Sequence, residues 1–90
     1  EEMNDKLAVG IYLGNIGNIY NLRSDFKRAL AYLLRGLKIA EEIANKKSAA
    51  AHLGNIANLY MTISYYKEAE FYFKKNQEFL HSPKKQQGKT

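Results

Sequence analysis

The chain carries no cysteine, no tryptophan, two histidines and a single proline in 90 residues. Without cysteine there are no disulfides, thiolate zinc sites or thiol nucleophiles, and the redox compartment stays open. No run of 18 apolar residues occurs and no basic-then-apolar leader opens the chain, so the sequence shows neither a membrane span nor a secretory signal. A dominant basic surface is also lacking, despite a net charge of +5. Lys84, Lys85 and Lys89 lie beyond Pro83 in a polar tail, and without them eleven basic residues face nine acidic ones on mixed-sign helix faces. Phosphate binding needs lysine and arginine clustered on one surface, which argues against nucleic acid as a partner.

The residues that carry chemistry are similarly sparse. His52 has no second histidine or carboxylate three or four positions on, so no metal site is expected, and it reads as a helix-face residue between repeats. No strand precedes a glycine-rich loop to cradle a phosphate, so no cofactor is expected. Glu41-Glu42 and Glu68/Glu70 are carboxylate pairs set among lysines on solvated faces, with no nucleophile beside them. The expectation is a non-enzymatic protein with no catalytic residues. Ninety residues make at most one small domain, too small for a deep catalytic cavity.

What the chain does contain is a repeat. Leu13-Gly14-Asn15-Ile16-Gly17-Asn18-Ile19-Tyr20 returns 40 residues later as Leu53-Gly54-Asn55-Ile56-Ala57-Asn58-Leu59-Tyr60. The match continues through Ser24/Ser64, Lys27/Lys67, Ala29/Ala69 and Tyr32/Tyr72. A fixed period of this size marks a repeat array. Glu1-Glu2-Met3 aligns with Glu41-Glu42-Ile43, which sets residues 1–5 at the end of an earlier repeat and implies that another precedes this segment.

Within each repeat the apolar spacing is helical. Val9, Leu13, Ile16, Gly17 and Tyr20 form one stripe of a helix expected from about Lys6 to Leu22. Ser24 or Asp25 is placed to cap a second helix, about Phe26 to Ala44, with Phe26, Ala29, Leu30, Leu33, Leu37 and Ile39/Ala40 on its apolar side. Lys46-Lys47-Ser48 reads as the turn, its lysines suiting the negative end of a helix dipole. A third helix follows from Ala49 to about Ile63. Ser64 is expected to cap a fourth from about Tyr66 to Leu80, with Tyr66, Ala69, Phe73 and Leu80 inward and Tyr72 and Phe79 flanking. Ser82-Pro83 should stop it, leaving 82–90 as a disordered basic tail. Gly36, Leu37 and Leu34 become Asn76, Gln77 and Lys74 in the second copy, as at the polar end of an array. The reading is all-α: tandem antiparallel helical hairpins over residues 6–46 and 47–81, an α-solenoid fragment of about four helices.

Leu13, Ile16, Gly17, Tyr20, Ala29 and Leu33, with Leu53, Ile56, Ala57, Tyr60, Ala69 and Phe73, resemble the tetratricopeptide (TPR) pattern W-x2-L-G-x2-Y, A-x3-F on paired helices. The departures are the missing tryptophan, Glu41 and His81 where the closing proline stands, and a period of 40 rather than about 34. The longer, asparagine-rich repeat is similar to the arrays of the Pins/LGN and kinesin light chain type, and to TPR regions of bacterial signalling proteins. The resemblance implies an intracellular scaffold for a protein or peptide ligand. Its alternative is a structural or oligomerisation module within a signalling protein.

In TPR arrays the first helices line a concave surface. That geometry puts Ile11, Gly14, Asn15, Asn18 and Leu22 on one step of a groove, and Ala51, Gly54, Asn55, Asn58, Met61 and Thr62 on the next. Asparagine is about 0.6 kcal/mol worse than alanine in a helix, so four at matching positions require a reason. An amide both donates and accepts, so a ladder of amides can pair with the backbone of an extended peptide whatever its side chains. Gly14 and Gly54 are expected to keep the groove wide. Two repeats fall short of the three usually needed for independent stability, so self-association through the apolar side of the first or last helix is also expected.

Overall fold

A computed structural model describes the backbone of residues 2–89 and the side chains of residues 5–79. Four helices follow one another: α1 (Glu2–Leu22), α2 (Phe26–Glu42), α3 (Lys46–Thr62) and α4 (Tyr66–Lys89). Three-residue connections turn the chain back each time, giving two antiparallel hairpins, α1–α2 and α3–α4, joined where α2 packs on α3. The fold is all-α.

The three turns are one structure repeated at 20-residue intervals. Ser24, Ala44 and Ser64 adopt positive φ of 64°, 54° and 65°. The N–H groups of Asp25, Asn45 and Tyr65 reach back to the carbonyls of Tyr20, Ala40 and Tyr60, while those of Ser24, Ala44 and Ser64 bond Asn21, Glu41 and Met61. This is the Schellman arrangement, which satisfies the last carbonyls of a helix. Glycine normally holds the left-handed position; here a serine or alanine does, at a cost of about 1–2 kcal/mol each.

The turns correct several sequence expectations. Asp25 caps α2 by accepting from the Arg28 N–H at 3.3 Å, and Asn45 caps α3 by accepting from Ser48 at 2.9 Å. Lys46, Lys47 and Ser48 are therefore the first turn of α3 rather than a loop, because the Asn45 side chain already caps the helix ahead of them. The lysines sit at the positive end of the dipole, opposite to the expected placement. Ser64 does not cap α4: it holds the left-handed position, and Tyr65 stands where Asp25 and Asn45 stand. At the chain ends, residues 2–5 form the first turn of α1, and α4 extends to Lys89, past the Ser82-Pro83 step where a stop was expected. The preference of a pre-proline residue for extended backbone is a bias, and here the helix overrides it. Leu80, expected inward, and the tail's side chains lie outside the described residues.

The core sits at the joint between hairpins. Ala29, Leu33, Leu37 and Ala40 of α2 meet Ala49, Leu53, Ile56 and Leu59 of α3. Leu33, Leu53, Ile56 and Leu59 are fully buried, each contributing about 1.5–3 kcal/mol of transfer free energy. Gly17 permits α1 to close on α2: a β-carbon there would lie 2.8 Å from Leu33 Cγ and 3.1 Å from the Ala29 carbonyl oxygen. Matching tyrosine stacks, Tyr20–Tyr32 at 5.5 Å and Tyr60–Tyr72 at 5.7 Å, brace the two hairpins. Two faces differ from expectation. Val9 is 45% exposed on α1, and on α4 Tyr72 and Phe79 pack on the core while Tyr66 and Phe73 turn outward. The reason is the same for both: no helix among the described residues covers these sides of α1 and α4.

Candidate functional site

A cleft of about 360 Å³ opens between α1 and the start of α3. Leu7, Ile11 and Gly14 line it from α1 with the amides of Asn15 and Asn18. Asn45, Lys47, Ser48, Ala51, His52 and Asn55 line it from the other hairpin. The volume lies at the low end of the roughly 300–1,000 Å³ typical of ligand sites. Its wall combines aliphatic side chains with four amides, and Lys47 supplies one formal positive charge.

The 40-residue register explains this composition. Asn15 and Asn18 of α1 look across at Asn55, and Ile11 at Ala51, because successive helical turns of α1 and α3 face the same cleft. Three of the four expected ladder amides thus share one cavity, with Asn45 added. Asn58, the counterpart of Asn18, is exposed outside the cleft wall, since a second cleft of this kind needs a further hairpin beyond α3. Leu22 is 86% exposed at the end of α1. The Thr62 hydroxyl donates to the Asn58 carbonyl at 2.9 Å. Met61 borders a separate hollow with Tyr66, Ala69, Glu70, Phe73, Lys74 and Gln77 on the outer side of the second hairpin.

The glycines expected to widen the groove do something else. A β-carbon on Gly54 would lie 3.3 Å from Asn76 Nδ2, so this glycine faces α4. One on Gly14 would lie 2.8 Å from His52 Nε2, and one on Gly36 would lie 2.4 Å from the same atom. These two glycines clear a slot into which His52 fits, 4% exposed, as a wedge between the hairpins. Its Nδ1 lies 2.8 Å from the Ser48 carbonyl oxygen and its Nε2 3.1 Å from that of Gly10. Carbonyls only accept, so the ring nitrogen bearing the proton donates to its neighbour, and a neutral ring serves one of the two. Seated between these two carbonyls, His52 brings α3 against α1.

Sequence reasoning missed Leu7, Asn45, Lys47, Ser48 and His52 as cleft residues. Asn45 carried a signal, as an Asx residue just ahead of a helical pattern. His52 carried one only in hindsight of the fold: Gly36, the residue that makes room for it, changes to Asn76 in the other copy.

Among the described residues no cluster of histidine and carboxylate side chains could hold a metal ion, and no helix is long and apolar enough to cross a membrane. Comparison with protein-family models, curated proteins and solved structures finds no match.

Proposed function

We propose that the chain is a non-enzymatic binding module of the tetratricopeptide kind, whose cleft between α1 and α3 takes an extended segment of a protein or peptide ligand. The observation that carries this reading is the convergence of Asn15, Asn18, Asn45 and Asn55 on one cavity that Leu7, Ile11 and Ala51 also line. The amides match the alternating N–H and C=O groups of an extended backbone, and Leu7, Ile11 and Ala51 offer a seat for an apolar side chain. The repeated hairpins and the small residues Gly17, Ala29, Ala57 and Ala69 at the helix contacts support the family assignment.

The test is selection of displayed random peptides on the immobilised chain, followed by affinity measurement on an Asn15→Ala, Asn18→Ala, Asn55→Ala triple variant. These side chains are exposed or half-buried. The reading expects binding to fall at least tenfold with an unchanged melting temperature. Equal affinity for both proteins would remove the cleft from the account. A drop in melting temperature without a change in binding would instead favour a purely structural role for the asparagines.

A further inference from the structure

α1 presents a third face, directed neither at α2 nor at the cleft. Val9, Tyr12 and Ile19 are 45%, 64% and 52% exposed, and Ile16 between them is half-buried. Their counterparts in the second hairpin are Ala49, His52, Leu59 and Ile56, all buried, because α3 has α2 on that side. The α1 face is thus built like a covered surface and lies open. The spacing of its residues, 9, 12, 16 and 19, is three, four, three, which places them on one stripe of the helix. It also reads the same in both directions. Asp5 precedes the stripe by four residues and Arg23 follows it by four, both exposed and of opposite charge.

We infer that this face pairs with the same face of a second copy, the two α1 helices running antiparallel about a two-fold axis. In that register Val9 meets Ile19 of the other copy, Tyr12 meets Ile16, and Asp5 meets Arg23, each contact occurring twice. Such an isologous contact closes on itself. The heptad-like spacing supplies an interdigitating seam, and the end charges select the antiparallel over the parallel orientation, in which like charges would meet.

Head-to-tail stacking, with α1 of one copy on α4 of the next, is opposed by the other end of the molecule. The seat that α2 offers to α3 uses Leu30, Leu33, Gly36 and Leu37. On α4 these positions hold Glu70, Phe73, Asn76 and Gln77, and the Asn76 side chain itself sits against Gly54 where a wedge from the next hairpin would enter. The proposed dimer leaves Ile11, Gly14 and Asn18 on a different side of α1, with Asn15 at the edge of the seam beside Tyr12 and Ile19.

Sedimentation equilibrium of the full chain at micromolar concentration tests the pairing. The expected result is twice the 10.3 kDa mass of one chain. Ile19→Lys should weaken dimerisation at least tenfold while circular dichroism reports unchanged helix. Asp5→Lys and Arg23→Glu should each weaken it a few-fold, and an equimolar mixture of these two variants should restore it, because every charged contact is then opposite in sign. Orientation is read from Val9→Cys and Ile19→Cys chains, which on oxidation should cross-link to each other in preference to themselves. A monomer at these concentrations, a dimer indifferent to Ile19→Lys, or preferential 9–9 cross-links would overturn the inference; a monomer would assign the face to another partner.

Discussion

The same position in the two hairpins is solved in two ways. In the first, glycines at 14 and 36 leave a slot, and the next hairpin fills it with His52. In the second, the corresponding residues are Gly54 and Asn76, and the amide of Asn76 occupies the space from within its own hairpin. The first hairpin is therefore incomplete without a neighbour, whereas the second completes itself. Asn76 Oδ1 ends up buried with no hydrogen-bond partner among the described residues, which is a cost of this solution. A repeat array needs both kinds of unit, one to propagate stacking and one to end it. The glycine-to-asparagine difference at the 36/76 pair is the one that closes the slot.

The largest expected effect comes from emptying the slot. His52→Ala removes a wedge that is 4% exposed and its one hydrogen bond, to the Ser48 or the Gly10 carbonyl, and should destabilise the chain by about 3 kcal/mol in urea denaturation. A loss below about 1 kcal/mol would mean the hairpins hold their register without it. Gly36→Ala comes next, at about 2 kcal/mol, because the new methyl group would collide with the imidazole. The two changes should not add. In the His52→Ala background Gly36→Ala should be neutral or stabilising by up to about 1 kcal/mol, since alanine is the better helix former once the clash is gone. Additive losses would show that the slot and the wedge are not coupled.

A smaller effect sharpens a feature the hairpins share. Ala44→Gly relieves a left-handed alanine in the turn between them and, net of the extra freedom glycine brings to the unfolded chain, should stabilise by about 0.5 kcal/mol. Thermal unfolding that moves downward instead would exclude strain at this turn. The smallest effect concerns the tyrosine stacks. Burial, then Tyr72, Glu68 and Tyr65, push the Tyr60 phenol above its ordinary value of 10.0. The neutral phenol is thus favoured by folding, so this contribution is complete below pH 10.0 and is lost as pH rises through the higher folded value. Tyr60→Phe should flatten the fall in stability on the alkaline side, and an unchanged slope would dissociate Tyr60 from it.

Much of this architecture was legible in the residues, and the gaps have physical causes. The 40-residue repeat and the apolar spacing located all four helices, because each hairpin buries the same stripe. The turns misled at Lys46-Lys47-Ser48 and at Ser64: without glycine or proline, nothing in a linear pattern shows that Ser24, Ala44 and Ser64 take positive φ. The faces of the terminal helices were misjudged for another reason. Val9 and Phe73 are apolar in sequence, but whether they are covered depends on a neighbour that apolar spacing does not specify. In the cleft, Asn15, Asn18 and Asn55 could be grouped from their shared register. The role of His52 could not, since it depends on glycines contributed by two other helices.

The central claim is that the amides of both hairpins act on one ligand in one cleft. The most direct measurement is a titration of the isotopically labelled chain with a peptide selected on it, following the side-chain NH₂ resonances of the asparagines by NMR. The account predicts that the resonances of Asn15, Asn18, Asn45 and Asn55 move together with a single affinity, while those of Asn58 and Asn76 stay in place. Shifts centred on Met61, Tyr66 and Phe73, or on Tyr12 and Ile19, with the four cleft amides unmoved, would contradict it.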